Sequence, residues 1–77
     1  MSRNDYSLTK AQISVLQLYA DGCNGKAAAM RLGLSKRTVE HHRANLIAKM
    51  NANTISHAVA LALRNKIIVS SGLQKSY

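Results

Sequence analysis

Apolar residues recur along this chain at intervals of three and four, the spacing that gathers side chains on one face of an α-helix, and they do so in four stretches. In the first, Ile13, Leu16 and Ala20 form the stripe, with Val15 and Leu18 beside it. Thr9 stands where an N-cap is needed and Gln12 completes a T-x-x-Q capping box; Leu8 and Ile13 fit the hydrophobic staple that brackets such a start. This helix is expected to run to about Asp21, where Gly22 stops it. The second stretch, NGKAAAMRLG, is Ala-rich, opens on the cap residue Asn24 and is expected to end at Gly33 in a left-handed conformation. Met30 fits core or surface, and Arg31 the outside.

The third stretch, LSKRTVEHHRANLIAKM, is the longest. Ser35 is its cap, so the helix should cover about 36–50. At about 100° per residue Val39, Leu46 and Met50 fall in a narrow arc, while Arg37, Glu40, His41, Ala44 and Ala48 point the other way. Only Leu34 separates Gly33 from Ser35, which is the short Gly-containing corner of a helix-turn-helix, and Ala29 suits a close crossing. The second helix of such a pair commonly enters the DNA major groove, although the same spacing suits any corner between two helices. The fourth stretch follows the turn-rich NANT, with Thr54 as cap and a helix from Ile55 to about Lys66. Ile55, Val59, Ala62 and Leu63 make its expected core stripe. Ala58 and Leu61 add apolar surface beyond it, either a dimer face or a helix wrapped by neighbours. Residues 1–7 and 70–77 are expected to be loose ends, with Tyr6 against the first helix and the start of Ile67-Ile68-Val69 tucked in.

Length and composition agree with one small all-α domain covering 1–77. A chain of 77 residues builds a modest core, and a partner subunit would help it. Its hydrophobic share of 47% excludes a fully disordered protein, yet Phe and Trp are absent and Tyr occurs three times, so Leu, Ile, Val, Met and Ala must fill the core. No run approaches the roughly 18 apolar residues that span a bilayer. The start, MSRNDYSL, lacks a signal peptide's apolar stretch, so a cytoplasmic location is expected. The single cysteine, Cys23, forms no internal disulfide and has no zinc-ligand pattern around it.

Charge narrows the function. Eleven Lys or Arg face three Asp or Glu, giving a net charge of +8. That imbalance calls for a polyanionic partner, most simply nucleic acid; a solubilising surface would mix the signs, and the basic residues are too dispersed for a membrane-binding helix. RNA is less favoured because base-stacking aromatics are scarce. So few acids supply no carboxylate pair, and with no Gly-rich phosphate loop or Ser/His/Asp set the chain is not expected to be an enzyme or to hold a cofactor. His41 and His42 diverge on a helix and His57 belongs to another, so no metal site is expected. Lys26, in the first turn of the second helix, is placed for a phosphate contact aided by the helix dipole, or is a solvated lysine. Lys10 and Gln12 admit the same two readings.

The ordered set of motifs resembles the C-terminal DNA-binding module of LuxR-type (LuxR/GerE) regulators: Leu8-Thr9 with Val15-Leu16; Ala20 and Gly22; Lys26, Ala29, Leu32, Gly33 and Ser35; Thr38, Val39 and His42; Asn45, Leu46, Lys49 and Met50; then Ala58-Val59. The resemblance, from Leu8 to about Ile68, implies a four-helix helix-turn-helix fold, a third helix in the major groove and a fourth that commonly dimerises. It implies backbone-contacting or orienting roles for Thr38, His42, Asn45 and Lys49; Lys26 and Lys36, read from their own positions, are further backbone candidates. It puts Glu40, His41 and Ala44 at groove-facing, base-reading positions, with Arg37 a further candidate. There are departures. Gln12 and Ser14 replace acidic residues. Ala27 and Ala28 replace a Glu and an Ile, which is expected to leave the second helix poorly fixed. Glu40 stands where a basic residue is common. No receiver or ligand-binding domain precedes the module, which suggests a free-standing protein without a signal input.

The expected function is therefore a DNA-binding transcription regulator acting on double-stranded DNA as a homodimer through the fourth helix. The rival is a small interaction protein that pairs with another LuxR-type regulator and blocks or redirects it. Glu40 is the sharpest test, since it is either neutralised on the helix surface by Lys36, Arg37 and Arg43 or accepts a hydrogen bond from a cytosine amino group.

Overall fold

A computed structural model of the chain describes residues 6–69. The loose ends expected at 1–5 and 70–77 lie outside the described residues. Within them the chain forms α1 (Lys10–Ala20), α2 (Gly25–Leu32), α3 (Lys36–Met50) and α4 (Ile55–Arg64). No described helix is long and apolar enough to cross a membrane.

Each helix begins on the residue that local chemistry selects. Oxygens of Thr9, Asn24, Ser35 and Thr54 accept from the backbone NH three residues on, at 3.1, 2.9, 3.0 and 3.1 Å. The Gln12 side chain returns the bond to the Thr9 NH at 2.9 Å, completing the capping box. The ends share one device as well. Gly22, Gly33, Asn51 and Lys66 take positive φ, and the next residue, Cys23, Leu34, Ala52 or Ile67, donates its NH back to Leu18, Ala29, Ile47 or Ala62. At Lys66, an L-residue with φ +59°, this closure carries backbone strain. It ends α4 at Arg64, before the expected Lys66, while the Asn65 amide donates to the Leu61 carbonyl at 2.8 Å.

α3 is the central element. It packs against α1, α2 and α4, whereas α2 and α4 do not meet. Val39, Leu46 and Met50 are buried beneath it, together with Leu8, Val15, Leu16, Ala28, Ala29, Ala58, Ala62 and Ile68 from the other segments. Burying a Leu or Val side chain contributes about 1.5–3 kcal/mol, so this single layer is the main source of cohesion. α2 is fixed more firmly than its missing Glu and Ile suggest: Asn24 caps it without the reciprocal Glu, and Ala28 and Ala29 are buried where it meets α1 and α3. Met30, by contrast, lies on the surface at 75% exposed.

Three expectations need correction. The stripe of α4 is rotated from the one predicted: Ala58 and Ala62 are fully enclosed, and Ile55, Val59, Leu61 and Leu63 flank them half-buried. Ala58 therefore cannot contribute to a dimer face. α4 packs against α1 and α3 with the Ala58 methyl fully enclosed, and Leu61 packs on the same core. Nor is Gln12 a solvated residue on a free face, since it is 4% exposed. Thirdly, residues 6 and 7 are engaged: Tyr6 is half-buried on the core and within 3.5 Å of the Asn65 amide, and the Ser7 carbonyl accepts from Lys49 at 2.9 Å.

Lys49 joins the C-terminal turn of α3 to the start of α1. Its ammonium donates to the Ser7 carbonyl and, at 3.1 Å, to Oε1 of buried Gln12. Replacing Lys49 with Met keeps the stem and removes both bonds, so urea denaturation should show a loss of about 1 kcal/mol. Gln12→Glu should reverse sign with the partner. With Lys49 present the carboxylate gains a charge-assisted bond, moderated by the exposure of the lysine to about 0.5–1 kcal/mol; in the Lys49→Met background it is a buried charge without its partner and should destabilise. An equal effect of Gln12→Glu in both backgrounds would show that the two side chains are not coupled.

Candidate nucleic-acid interface

The outward side of α3 follows from its inward side. With Val39, Leu46 and Met50 committed to the core, Arg37, Glu40, His41, Ala44, Asn45 and Ala48 are all exposed. Two of the predicted base-reading residues stand singly, and two are engaged. Arg37 and Ala44 have no side-chain partner among the described residues. His41 pairs with Asn45, the amide nitrogen lying 3.2 Å from Nε2. Glu40 lies 3.8 Å from the Lys36 ammonium, and neither Arg37 nor Arg43 forms an ion pair with it. Both partners are well exposed, so this bridge is weak and easily exchanged.

The predicted backbone set divides between two flanks. On the flank toward α1, His42 is half-buried and Lys49 is held by Ser7 and Gln12. Lys49 is exposed, and two of its three ammonium donors are engaged inside the domain, which gives it a structural contact. At the start of the helix the half-buried Thr38 hydroxyl lies 2.8 Å from that of Ser35, which ties it to the cap. The His41 and His42 rings are 6.2 Å apart with planes 57° apart, a diverging pair. No three potential metal ligands cluster among the described residues.

On the other flank the structure brings together residues that sequence spacing did not connect. Lys26 from the first turn of α2 and Lys36 from α3 line a common open recess of about 400 Å³, with Tyr19, Asn24, Gly25, Glu40 and Arg43. Arg43 was legible only as a neighbour of Glu40. Positions 36, 40 and 43 share one helix face, and that periodicity could have flagged it; what it faces depends on how α2 packs. Tyr19 carried no such signal, since it sits among the apolar positions of α1.

Comparison with known proteins agrees with this architecture. Residues 6–62 match the family described as bacterial regulatory proteins, luxR family. The chain is 36% identical over 66 residues to the transcriptional regulatory protein YdfI of Bacillus subtilis, a match covering 86% of this chain and 31% of that protein. It is 42% identical over 57 residues to the transcriptional regulatory protein FixJ of Rhizobium meliloti, covering 74% of this chain and 28% of that protein. The transcriptional regulatory protein DegU of Brevibacillus brevis is 36% identical over 58 residues, covering 75% of this chain and 25% of that protein. The chain thus spans about a third or less of these relatives. With four capped helices, a three-residue corner between α2 and α3 and a family match over most of its length, the chain belongs to the luxR family of bacterial regulatory proteins.

Proposed function

We propose that the chain is a DNA-binding transcription regulator of the bacterial cytoplasm, that α3 enters the major groove, and that two copies bind adjacent half-sites. The observation that carries this reading is the exposed arc of α3, set on a helix fixed by three neighbours and carrying basic residues at its flanks. A recognition helix needs both properties: it must be rigid enough to hold register and bare enough to reach base edges. Arg37, Glu40, His41 and Ala44 are its base-reading set, and Lys26, Lys36, Thr38, His42 and Asn45 hold the backbone. The net charge of +8 supports the same partner.

Binding should weaken steeply with salt. About four to six neutralised phosphates give a slope of log K against log salt of about −4 to −5, measurable by fluorescence anisotropy on a labelled duplex. An affinity that scarcely changed between low and moderate salt would remove DNA as the partner.

Glu40 distinguishes reading from mere charge. If it accepts from a cytosine amino group once released from Lys36, Glu40→Ala should bind random DNA more tightly and the selected site less tightly, losing about 1–3 kcal/mol of discrimination at one base pair per half-site. Tighter binding to both DNAs would leave Glu40 as a surface charge only. Loss of pairing with a second luxR-type regulator, with DNA binding unchanged, would favour the interaction-protein reading.

With Ala58 enclosed and Leu61 packed on the core, the contact proposed for the dimer is the outward side of α4, where Ser56, His57, Ala60 and Arg64 are exposed. Ala60→Glu should leave the fold intact by circular dichroism and abolish two-copy occupancy of a double half-site in sedimentation. A wild type that stays monomeric at high concentration, with and without DNA, contradicts the dimer.

A further inference from the structure

We propose that the recess between the start of α2 and the flank of α3 is a seat for a phosphate group, gripped by Lys26, Lys36 and Arg43, whose place Glu40 holds in the free protein. It rests on the DNA reading and adds two residues, Arg43 and Tyr19, that the family motifs leave without a DNA contact.

Three cations and one carboxylate line a space of about 400 Å³, so the recess carries a local excess of positive charge. Its only anion is engaged weakly, Glu40 lying 3.8 Å from Lys36 with both side chains open to water. Arg43 is half-buried yet has no ion pair or hydrogen-bond partner among the described residues. Its stem is partly covered while its guanidinium stays open to water with all its donors free, and that planar fork matches two oxygens of a phosphate. The Tyr19 hydroxyl likewise has no hydrogen-bond partner among the described residues and lies 3.3 Å from where a Cβ on Gly25 would stand. The glycine thus leaves room for a free O–H donor beside the cations. Phosphate is the ligand that uses these groups together, accepting from Arg43 and Tyr19 while Lys26 and Lys36 neutralise it. Its arrival takes Lys36 from Glu40 and frees that carboxylate at the edge of the reading arc, so that backbone capture and base reading are coupled.

The source of the phosphate is either the DNA backbone or a free phosphate compound, and the experiment separates them. A duplex selected from a random pool is remade with a single uncharged methylphosphonate at successive positions and titrated with wild type, Arg43→Gln and Tyr19→Phe. One position per half-site should weaken wild-type binding; Arg43→Gln should make that position silent and reduce the salt slope by about one, and Arg43→Lys should recover the slope. An Arg43→Gln protein with wild-type slope and positional profile overturns the proposal. Should the wild type bind no duplex even at low salt, the DNA reading itself fails and pyrophosphate becomes the probe. Amide shifts at Gly25 and Lys26 that disappear in Arg43→Gln would then establish a seat for a free phosphate compound, and their absence in the wild type would eliminate the seat.

Discussion

α3 is asked to be the hub of the core and the most exposed helix at once, and the remaining structure follows from that constraint. A small chain without Phe or Trp has few large side chains to spend on cohesion, and it places Val39, Leu46 and Met50 under a helix that packs against all three others. Truncating a residue such as Leu46 costs about 2–5 kcal/mol in comparable cores, a large part of what so small a domain holds in reserve. Substitutions on the opposite arc disturb only exposed side chains and cost little. The helix can therefore vary its outer residues freely while its inner ones stay fixed, which is what a scaffold that presents different reading surfaces requires.

How much of this was visible in the sequence depended on the range of the interaction. All four N-caps, the left-handed close at Gly33 and the inner and outer arcs of α3 were legible because each is decided within a few residues by hydrogen-bond and side-chain geometry. Contacts between helices were not. Ala58 looked like surplus apolar surface because the sequence stripe runs through the larger Ile55, Val59 and Leu63, yet where helices approach closely a small side chain is the one that is fully enclosed. The same blindness applied to Gln12, whose polarity suggested solvent, while Thr9 and Lys49 satisfy it inside. In the candidate site the outward arc was readable, but the recess was not, since it exists only once α2 is laid beside α3.

Lys49 illustrates how the family pattern and the local physics bear on each other. The resemblance treats it as a residue that contacts or orients at the DNA backbone, and the structure has it bridging Ser7 and Gln12 across the start of α1. With an acidic residue at position 12, as is usual in the family, the bridge would be an ion pair; with Gln12 it is a hydrogen bond to a neutral amide, and the lysine keeps its charge uncompensated. The domain gives up some strength in one internal contact and retains a larger positive field toward a polyanion.

Glu40 works against that field, and its position indicates why it is tolerated. It sits where the reading arc meets the flank that faces α2, beside Lys36 and within the same recess as Lys26 and Arg43. A carboxylate facing an incoming phosphate alone would repel it, but one surrounded by three cations mainly adjusts how strongly those cations attract. In the free protein Glu40 offsets part of the local excess, which in the proposed function weakens indiscriminate attraction to any duplex. On a site that supplied both a phosphate for the proposed seat and a hydrogen-bond donor for the carboxylate, the repulsion would be replaced by two contacts. Specificity is a difference between affinities, and a group that penalises the wrong partner raises it as effectively as one that rewards the right partner.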